Sequence, residues 1–248
     1  MKKWLLFLIT VFITTNLCAQ EEWVVINGVK WATRNVDMPG TFAVNSEDAG
    51  MFYQWNRRIG WSSTDPLINS NGETMWDNTT PSGTTWEKEN DPCPSGWRVP
   101  TKKELQGLVN SGSHWSILND IAGRIFGSGN NTIFLPAVGY RRFNYGDIYT
   151  QGTLGYYWSC NISSINAHHL YFSNNSVSPD DTYFNNAYGF AVRCVADESV
   201  GVNEVSVDTE TAIVIGYFDI LGKKLNEEPK QGIYIILYDN GKTKLRLK

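Results

Sequence analysis

Cys160 and two adjacent histidines, His168 and His169, are the side chains best suited to nucleophilic chemistry in this sequence. Cys160 ends one predicted strand and the histidines begin the next, so one imidazole could face the sulfur in a thiol–imidazole pair. Both histidines cannot join one site, because neighbouring residues of a strand point to opposite faces. No third residue that would orient the imidazole is evident, and a buried, inert thiol is the commoner fate of such a cysteine. We therefore predict no catalytic residue and no enzymatic activity.

Metal-ligating residues are sparse and poorly spaced. Zinc needs three or four ligands, and no spacing of Cys and His supplies them. Asp180, Asp181 and Asn185 offer carboxylate and amide oxygens in one polar loop, and calcium prefers this ligand type. The alternative is that all three are solvated loop residues. We predict no metal and no cofactor, and we keep these three residues as candidates for ligand binding.

Tryptophan is the unusual component of the composition, with 10 in 248 residues. Trp61, Trp76 and Trp86 lie in a polar stretch, residues 56–91, where their rings could stack on a sugar or anchor a protein interface. The alternative for each ring is that it fills the core of a loop-rich fold. These three tryptophans complete the set of candidate ligand-binding residues.

Strands flank two predicted helices in the region that must position these residues. Asn27-Gly28 predicts a tight hairpin turn, because this pair tolerates positive φ and stands between β-forming flanks. Thr101 and Glu104 form a capping-box pattern that predicts a helix ending near Gly112. A second helix is predicted from Ser113, on the helical spacing of apolar residues up to Ile125. Further strands are predicted at 132–138, 155–160, 167–173 and 189–195. The pattern predicts an α+β body with two helices and short antiparallel strands.

Residues 1–19 are typical of a secretory signal peptide. A basic start is followed by an apolar run, Trp4 to Ile13, and by small residues before a cut after Ala19. The run is shorter than the ~20 residues that a spanning helix needs, so we predict no transmembrane anchor. Cys18 raises the alternative of a lipoprotein, although the residues before it fit that signal poorly. Three cysteines would remain after cleavage, which allows one disulfide in an oxidising compartment.

Charge divides the chain into two parts. The net charge is −4, yet residues 223–248 hold seven Lys and Arg against three acids. We predict a body at 20–196, a small polar linker at 197–203 and a tail at 204–248. The alternating pattern of the tail predicts a small all-β sandwich with one basic face. The mildly acidic composition argues against nucleic-acid binding, which needs a concentrated basic surface.

Five ordered segments of the body resemble a known family. They are INGVKWATRNV at 26–36, DPCPSGWRVPT at 91–101, FLPAVGYR at 134–141, GYYWS at 155–159 and GFAVRCV at 189–195. Together they closely resemble the Fibrobacter succinogenes major paralogous domain, which is abundant in secreted proteins of Bacteroidetes. The resemblance implies a fold like that of C-type lectin domains and of the formylglycine-generating enzymes. It also implies a disulfide between Cys93 and Cys194 that leaves Cys160 reduced. It implies no particular activity, because the family has no general assigned function.

The tail is similar to the C-terminal sorting domain of the type IX secretion system. The residues that carry this resemblance are Gly222, Pro229, Gly232, Tyr234, Gly241 and Lys242, with further cations after them. The resemblance implies the secretion machinery as a partner. It also implies passage through the periplasm to the outer-membrane surface or the medium.

Taken together, the sequence predicts a secreted or cell-surface binding module without enzymatic activity, whose ligand is a glycan or a surface protein. Two alternatives stay open. One is a thiol enzyme that works through Cys160 and is related to the formylglycine-generating group. The other is a purely structural component of the cell surface.

Overall fold

A computed structural model describes residues 23–197, 214–220, 222–239 and 243–247. The described residues form two compact units: the first holds 23–93 and 99–195, and the second holds 94–98 and the described residues from 196 onward. The predicted signal peptide, most of the predicted linker, and the sorting residues Gly241 and Lys242 lie outside the described residues.

The described part of the chain is mostly β-structure. It has one α-helix, α1 (Lys102–Asn110), and one 3-10 turn (Lys88–Asn90). In chain order the strands are β1 (Trp23–Ile26), β2 (Val29–Ala32), β3 (Phe52–Gln54), β4 (Gly60–Trp61), β5 (Trp97–Arg98), β6 (Ser113–Leu118), β7 (Ile121–Ser128), β8 (Asn131–Pro136), β9 (Tyr140–Arg141), β10 (Ile148–Tyr149), β11 (Gly155–Ile162), β12 (Ala167–Phe172), β13 (Val177–Asp181), β14 (Gly189–Phe190), β15 (Val195–Ala196), β16 (Val214–Phe218), β17 (Lys224–Leu225), β18 (Ile233–Tyr238) and β19 (Thr243–Leu247). No helix among the described residues is long and apolar enough to cross a membrane.

Short antiparallel sheets build the first unit. One sheet has five strands in the order β10–β9–β14–β3–β4, and two sheets have three strands each, β11–β12–β13 and β6–β7–β8. β1 and β2 form the predicted hairpin, in which Asn27 and Gly28 have φ of 50° and 80°. These positive values match the type of turn that joins twisted strands most easily. On its other side β2 pairs with β15.

The helix α1 begins where its capping box predicts. The Thr101 hydroxyl accepts a hydrogen bond from the Glu104 amide at 3.2 Å, and the Thr101 amide donates to the Glu104 carboxylate at 2.6 Å. Leu105 and Leu108 are buried against the core, whereas the rest of the helix is more accessible. The capping box therefore fixes the start of the helix, and two leucines fix its orientation.

The prediction of a second helix, and with it the α+β class with two helices, is wrong. Ser113–Leu118 and Ile121–Ser128 are the strands β6 and β7 of one hairpin. The turn between them consists of Asn119 and Asp120, which have φ of 48° and 65°. A two-residue turn of this kind cannot occur inside a helix, and it allows every residue of β6 to pair with β7.

A buried guanidinium, that of Arg193, ties distant segments of the first unit together. It donates to the Asn35 side chain at 2.9 Å, to the Thr33 carbonyl at 2.6 Å and to the Phe134 carbonyl at 3.1 Å. The Tyr157 hydroxyl completes the cluster through the Asn35 amide at 3.3 Å. Burial raises the pKa of Tyr157 to about 12. Residues from four of the five segments that carry the family resemblance therefore meet at this one cation.

The second unit contains a single antiparallel sheet in the order β17–β16–β18–β19. Tyr234, Ile236 and Tyr238 alternate along β18 and are buried together on one face. Within the described residues this is one sheet, so the predicted β-sandwich is replaced by a single layer. The predicted sorting residues Gly222 and Gly232 have φ of 82° and 96°, values that favour glycine in turns. The segment Pro94–Arg98 also belongs to this unit, where the Asp197 amide donates to the Gly96 carbonyl at 2.9 Å.

Candidate functional site

A surface rich in tyrosine and phenylalanine is the most distinctive feature of the first unit. We call it the aromatic face, and it consists of Tyr140, Phe143, Tyr149, Tyr183, Phe184 and Tyr188. Tyr140 and Tyr149 lie nearly parallel, with ring centroids 5.8 Å apart and an interplanar angle of 14°. Tyr188 continues the surface at 5.6 Å from Tyr140. Phe143 and Tyr149 are 36% and 37% exposed, and Tyr183 is 82% exposed, so the face is accessible from solvent.

A second layer of buried rings supports the aromatic face. Tyr156 stacks on Phe190 at 5.0 Å, and Trp158 stacks on the same ring at 4.2 Å. Phe184 joins the two layers, because its ring lies 5.4 Å from Tyr156 and 4.5 Å from Tyr188. Aromatic rings at such distances prefer offset or edge-to-face contacts, which hold each ring in a defined orientation. The exposed rings are therefore presented on a rigid base.

The β9–β10 hairpin carries three rings of the aromatic face, Tyr140, Phe143 and Tyr149. The buried Arg141 side chain holds this hairpin in place. This guanidinium is fully buried and donates to the Ser62 carbonyl and the Thr64 carbonyl, both at 2.7 Å, and to the Gly146 carbonyl. Burial lowers its pKa, and Asp65 opposes that effect. These bonds join the loop after β4 to the turn between β9 and β10, so the hairpin is held in one position.

Trp76, a predicted ligand-binding residue, supports the same hairpin from the interior. Its indole N–H donates to the Phe143 carbonyl at 2.8 Å, and its ring packs against Trp61 at 4.8 Å. Gly146 has a φ of 73°, and a Cβ at this position would lie 2.7 Å from the Trp76 ring. Both tryptophans are buried. They therefore lie beneath the turn that presents Phe143, and their rings are not part of its exposed surface.

Trp86 is also buried in the structure, away from the aromatic face. Its indole N–H donates to the Asn90 carbonyl at 2.9 Å, and its ring meets Trp55 edge to face at 6.1 Å. These contacts order the polar segment that follows β4. We therefore do not include this residue in the site.

The predicted oxygen ligands are engaged in local contacts. The Asp181 carboxylate accepts from the Tyr183 amide and the Asn185 side chain accepts from the Ala187 amide, both at 2.9 Å. Asp180 forms an ion pair with Lys102 at 2.7 Å. Among the described residues, no group of three or more His, Cys, Asp or Glu side chains could hold a metal ion. Asp181 and Asn185 instead shape the loop that carries Tyr183 and Tyr188.

The two histidines that were candidates to pair with Cys160 lie on opposite faces of β12 and contact other groups. His169 is fully buried among aromatic rings, and the nearest of them, Phe190, lies 4.9 Å away. His168 points to the other face of β12, where its Nδ1 contacts the Asp180 carboxylate. The half-buried Cys160 thiol lies 3.9 Å from the Asn161 side-chain oxygen. Cys93 and Cys194 form a disulfide that does not include Cys160.

Polar groups with unused hydrogen-bonding capacity lie beside the exposed rings. The Arg142 guanidinium stands 4.9 Å above the Tyr149 ring, and it lies 3.4 Å from the Asp147 carboxylate. Arg142 Nε, Asn144 Oδ1 and Thr150 Oγ1 are buried atoms without a hydrogen-bond partner in the described part of the chain. These atoms are shielded from solvent, so the polar groups that a ligand can reach beside the rings are the Arg142 guanidinium and the Asp147 carboxylate.

Sequence reasoning missed the residues of the aromatic face. The available signal was the density of Tyr and Phe at 140–149 and at 183–190, close to polar turn residues. Only the pairing of β9 with both β10 and β14 brings these two segments together.

Comparisons of this chain with family models, with curated proteins and with solved structures found no match. No family is assigned on these grounds. The family and sorting-domain resemblances therefore stay predictions that rest on the sequence motifs alone.

Proposed function

We propose that this protein is a non-enzymatic binding module that is exported and that holds a glycan against the aromatic face. One observation carries the proposal: exposed Tyr and Phe rings stand on a rigid base next to the accessible Arg142 guanidinium and Asp147 carboxylate. This combination offers apolar contact and hydrogen bonding within one narrow strip.

A sugar ring matches both properties of this strip. One side of a pyranose carries C–H groups that pack on an aromatic ring, and hydroxyl groups at its rim both donate and accept hydrogen bonds. Arg142 and Asp147 provide a charged donor and a charged acceptor for such hydroxyls. A protein partner of ordinary affinity needs ~800 Å² on each side. Phe143 and Tyr149, the exposed hairpin rings of the strip, are only 36% and 37% accessible, which favours the smaller ligand.

Glycan-array screening of the full chain, followed by calorimetry on the best ligand, tests this proposal. We expect Tyr149→Ala and Tyr183→Ala each to weaken binding about tenfold, because loss of a stacking ring at the centre of a site typically costs at least ~1.4 kcal/mol. Neither variant should change the unfolding midpoint strongly, because both rings are partly or largely exposed.

Trp23→Ala is the matched control. Trp23 is an exposed aromatic residue, 45% accessible, with the Lys30 ammonium 4.9 Å from its ring, and it lies in the β1–β2 hairpin. It therefore reproduces the arrangement of Arg142 over Tyr149 outside the aromatic face. An array without any ligand, or an equal loss of affinity in the control, would contradict the proposal. Retention of a cell-surface protein on the same face would identify a protein ligand instead of a glycan.

Export is the second part of the proposal. The signal-peptide pattern, the basic tail and the sorting-domain residues support passage through the periplasm and delivery by the type IX machinery to the surface or medium. We expect deletion of residues 222–248 to leave the first unit folded, with its disulfide, and retained in the periplasm. Cell fractionation measures this, with Lys88→Gln in the full chain as a control for mutational effects. Normal delivery of the truncated protein would exclude the tail as the signal.

A further inference from the structure

A cleft lies on the other side of the β11–β12–β13 sheet from the aromatic face. Its volume is about 490 Å³, and it is lined by Lys102, Lys103, Gln106, Asn161, Ile162 and His168. Adjacent residues of a strand point to opposite faces, so His168 enters this cleft while His169 packs among the aromatic rings. The cleft is therefore a separate feature of the first unit.

Asn161 connects the sheet to the start of α1 and leaves donors available. Its Oδ1 accepts a hydrogen bond from the Lys102 amide at 2.8 Å, which places Lys102 and Lys103 at the edge of the cleft. Its Nδ2 has no acceptor within the described residues, although an amide nitrogen can donate twice. Because the Asn161 oxygen is engaged, the side chain offers its Nδ2 hydrogens to the cleft.

His168 presents its second ring nitrogen to the cleft. The side chain is only 12% exposed, and its Nδ1 contacts one oxygen of Asp180, whose other oxygen pairs with the Lys102 ammonium at 2.7 Å. Asp180 therefore fixes the orientation of the imidazole. Nε2 has no partner in the described ranges, and neither does the Lys103 ammonium.

The charges around the cleft favour an anion. Two ammonium groups, of Lys102 and Lys103, stand against one carboxylate, of Asp180, so the excess is positive even when His168 is neutral. Asp180 serves His168 and Lys102 while Asn161 Oδ1 serves a backbone amide, so both of these acceptors are engaged. Gln106 Oε1 is a neutral acceptor beside the two ammonium groups, and it does not offset their positive charge.

We propose that this cleft binds an oxyanion, namely a carboxylate, phosphate or sulfate group. Lys103 Nζ and Asn161 Nδ2 hold its oxygens, and Lys102 adds charge from the side. His168 Nε2 donates as a third group in the imidazolium form, in which both ring nitrogens carry a proton while Nδ1 faces Asp180. Hydrogen bonds between a cation and an oxyanion are short and strong, and donors from three elements, α1, β11 and β12, would select this geometry over a monatomic anion. The group can be a free inorganic ion or can belong to an acidic sugar.

Amide NMR of the ¹⁵N-labelled full chain tests the proposal. Inorganic phosphate, inorganic sulfate and glucuronate are titrated separately, with chloride used to keep the ionic strength constant. We expect saturable shifts at Lys102, Lys103, Asn161 and His168. We also expect Lys103→Gln and His168→Gln each to weaken binding about tenfold, as the loss of one charge-assisted donor predicts.

Lys88→Gln is the control, since Lys88 is an exposed lysine on the 3-10 turn and does not line the cleft. Because His168 is largely buried, a loss of binding in His168→Gln could also come from a change in folding. Lys103 is exposed, so a loss of binding in Lys103→Gln reports on the cleft itself. Saturation by phosphate or sulfate supports a free ion as the ligand, and saturation by glucuronate alone supports a sugar-borne group. Absence of saturation with all three probes, or equal weakening in Lys103→Gln and Lys88→Gln, overturns the proposal.

Discussion

At the scale of single residues, His169 shows how strongly the surroundings change a side chain. Its imidazole is fully buried between Trp158 and Phe190, and neither ring nitrogen has a partner among the described residues. Burial lowers its pKa to about 4, because the charged form loses hydration, and the nearby Asp181 carboxylate opposes this effect. His169 therefore supports the aromatic face as a neutral ring.

The depressed pKa predicts a specific loss of stability in acid. The unfolded chain protonates His169 near pH 6.5 and the folded chain only near pH 4. The folded state is thus fully favoured above about pH 6.5, and this contribution is lost as the pH falls from 6.5 to 4. It amounts to roughly 3 kcal/mol. We expect His169→Phe to remove most of this pH dependence in urea unfolding measured near pH 7 and pH 4.

His114→Phe serves as the comparison, because His114 is exposed on β6. It should leave the pH dependence of the unfolding free energy as it is in the parent chain. If His169→Phe retained the full acid sensitivity, the neutral buried imidazole would not be its source.

The sequence predicts the structural role of a residue only where that role depends on its near neighbours in the chain. The Thr101–Glu104 cap depends on residues three apart, and the sequence shows it directly. The orientation of Trp76 depends on Phe143, far along the chain, so its position beneath the hairpin could not be predicted. The same holds for Tyr140 and Tyr188, whose contact depends on how β9 and β14 pair.

At the scale of elements, the β6–β7 hairpin shows why apolar spacing alone misled the helix prediction. Trp115, Leu118, Ile121 and Ile125 match a helical stripe, but Trp115 and Ile117 also alternate as in a strand. The deciding feature is the turn Asn119-Asp120, where both residues adopt positive φ. The Asn119 amide also donates to the Glu47 carboxylate at 2.6 Å, and this distant contact favours the hairpin.

Substitutions at Asp120 test whether this turn determines the element. Asp120 is exposed and has a φ of 65°, which glycine adopts without strain and a β-branched residue does not. We expect Asp120→Gly to be neutral or to stabilise the fold by up to ~1 kcal/mol, and Asp120→Val to destabilise it by ~1–2 kcal/mol. Urea unfolding followed by tryptophan fluorescence measures both. The opposite order of stability would show that the turn backbone does not control this hairpin.

At the scale of the whole molecule, two buried connections hold the first unit together across long stretches of chain. One is the Arg193 cluster, which joins residues near the start of the unit to its last segment. The other is the disulfide between Cys93 and Cys194, which are 101 residues apart in sequence. A unit with one helix and short strands has few local contacts of its own, so such long-range links contribute a large share of its stability.

The disulfide gives the last prediction, because its effect depends on the size of the loop it closes. A crosslink across about 100 residues reduces the entropy of the unfolded chain by an amount equivalent to ~4–5 kcal/mol in the loop-closure model. Both cysteines are buried, and alanine at both positions removes only the two sulfur atoms, so the loss of packing is small beside the loss of the crosslink. We expect Cys93→Ala/Cys194→Ala to lower the urea midpoint markedly and reduction of the parent protein to have the same effect. Cys160→Ser should leave the midpoint nearly unchanged and should also preserve ligand binding, since its half-buried thiol belongs neither to the bridge nor to the aromatic face. A double variant as stable as the parent would mean that the unfolded chain is already compact around these residues, and that the Arg193 cluster alone suffices to close the unit.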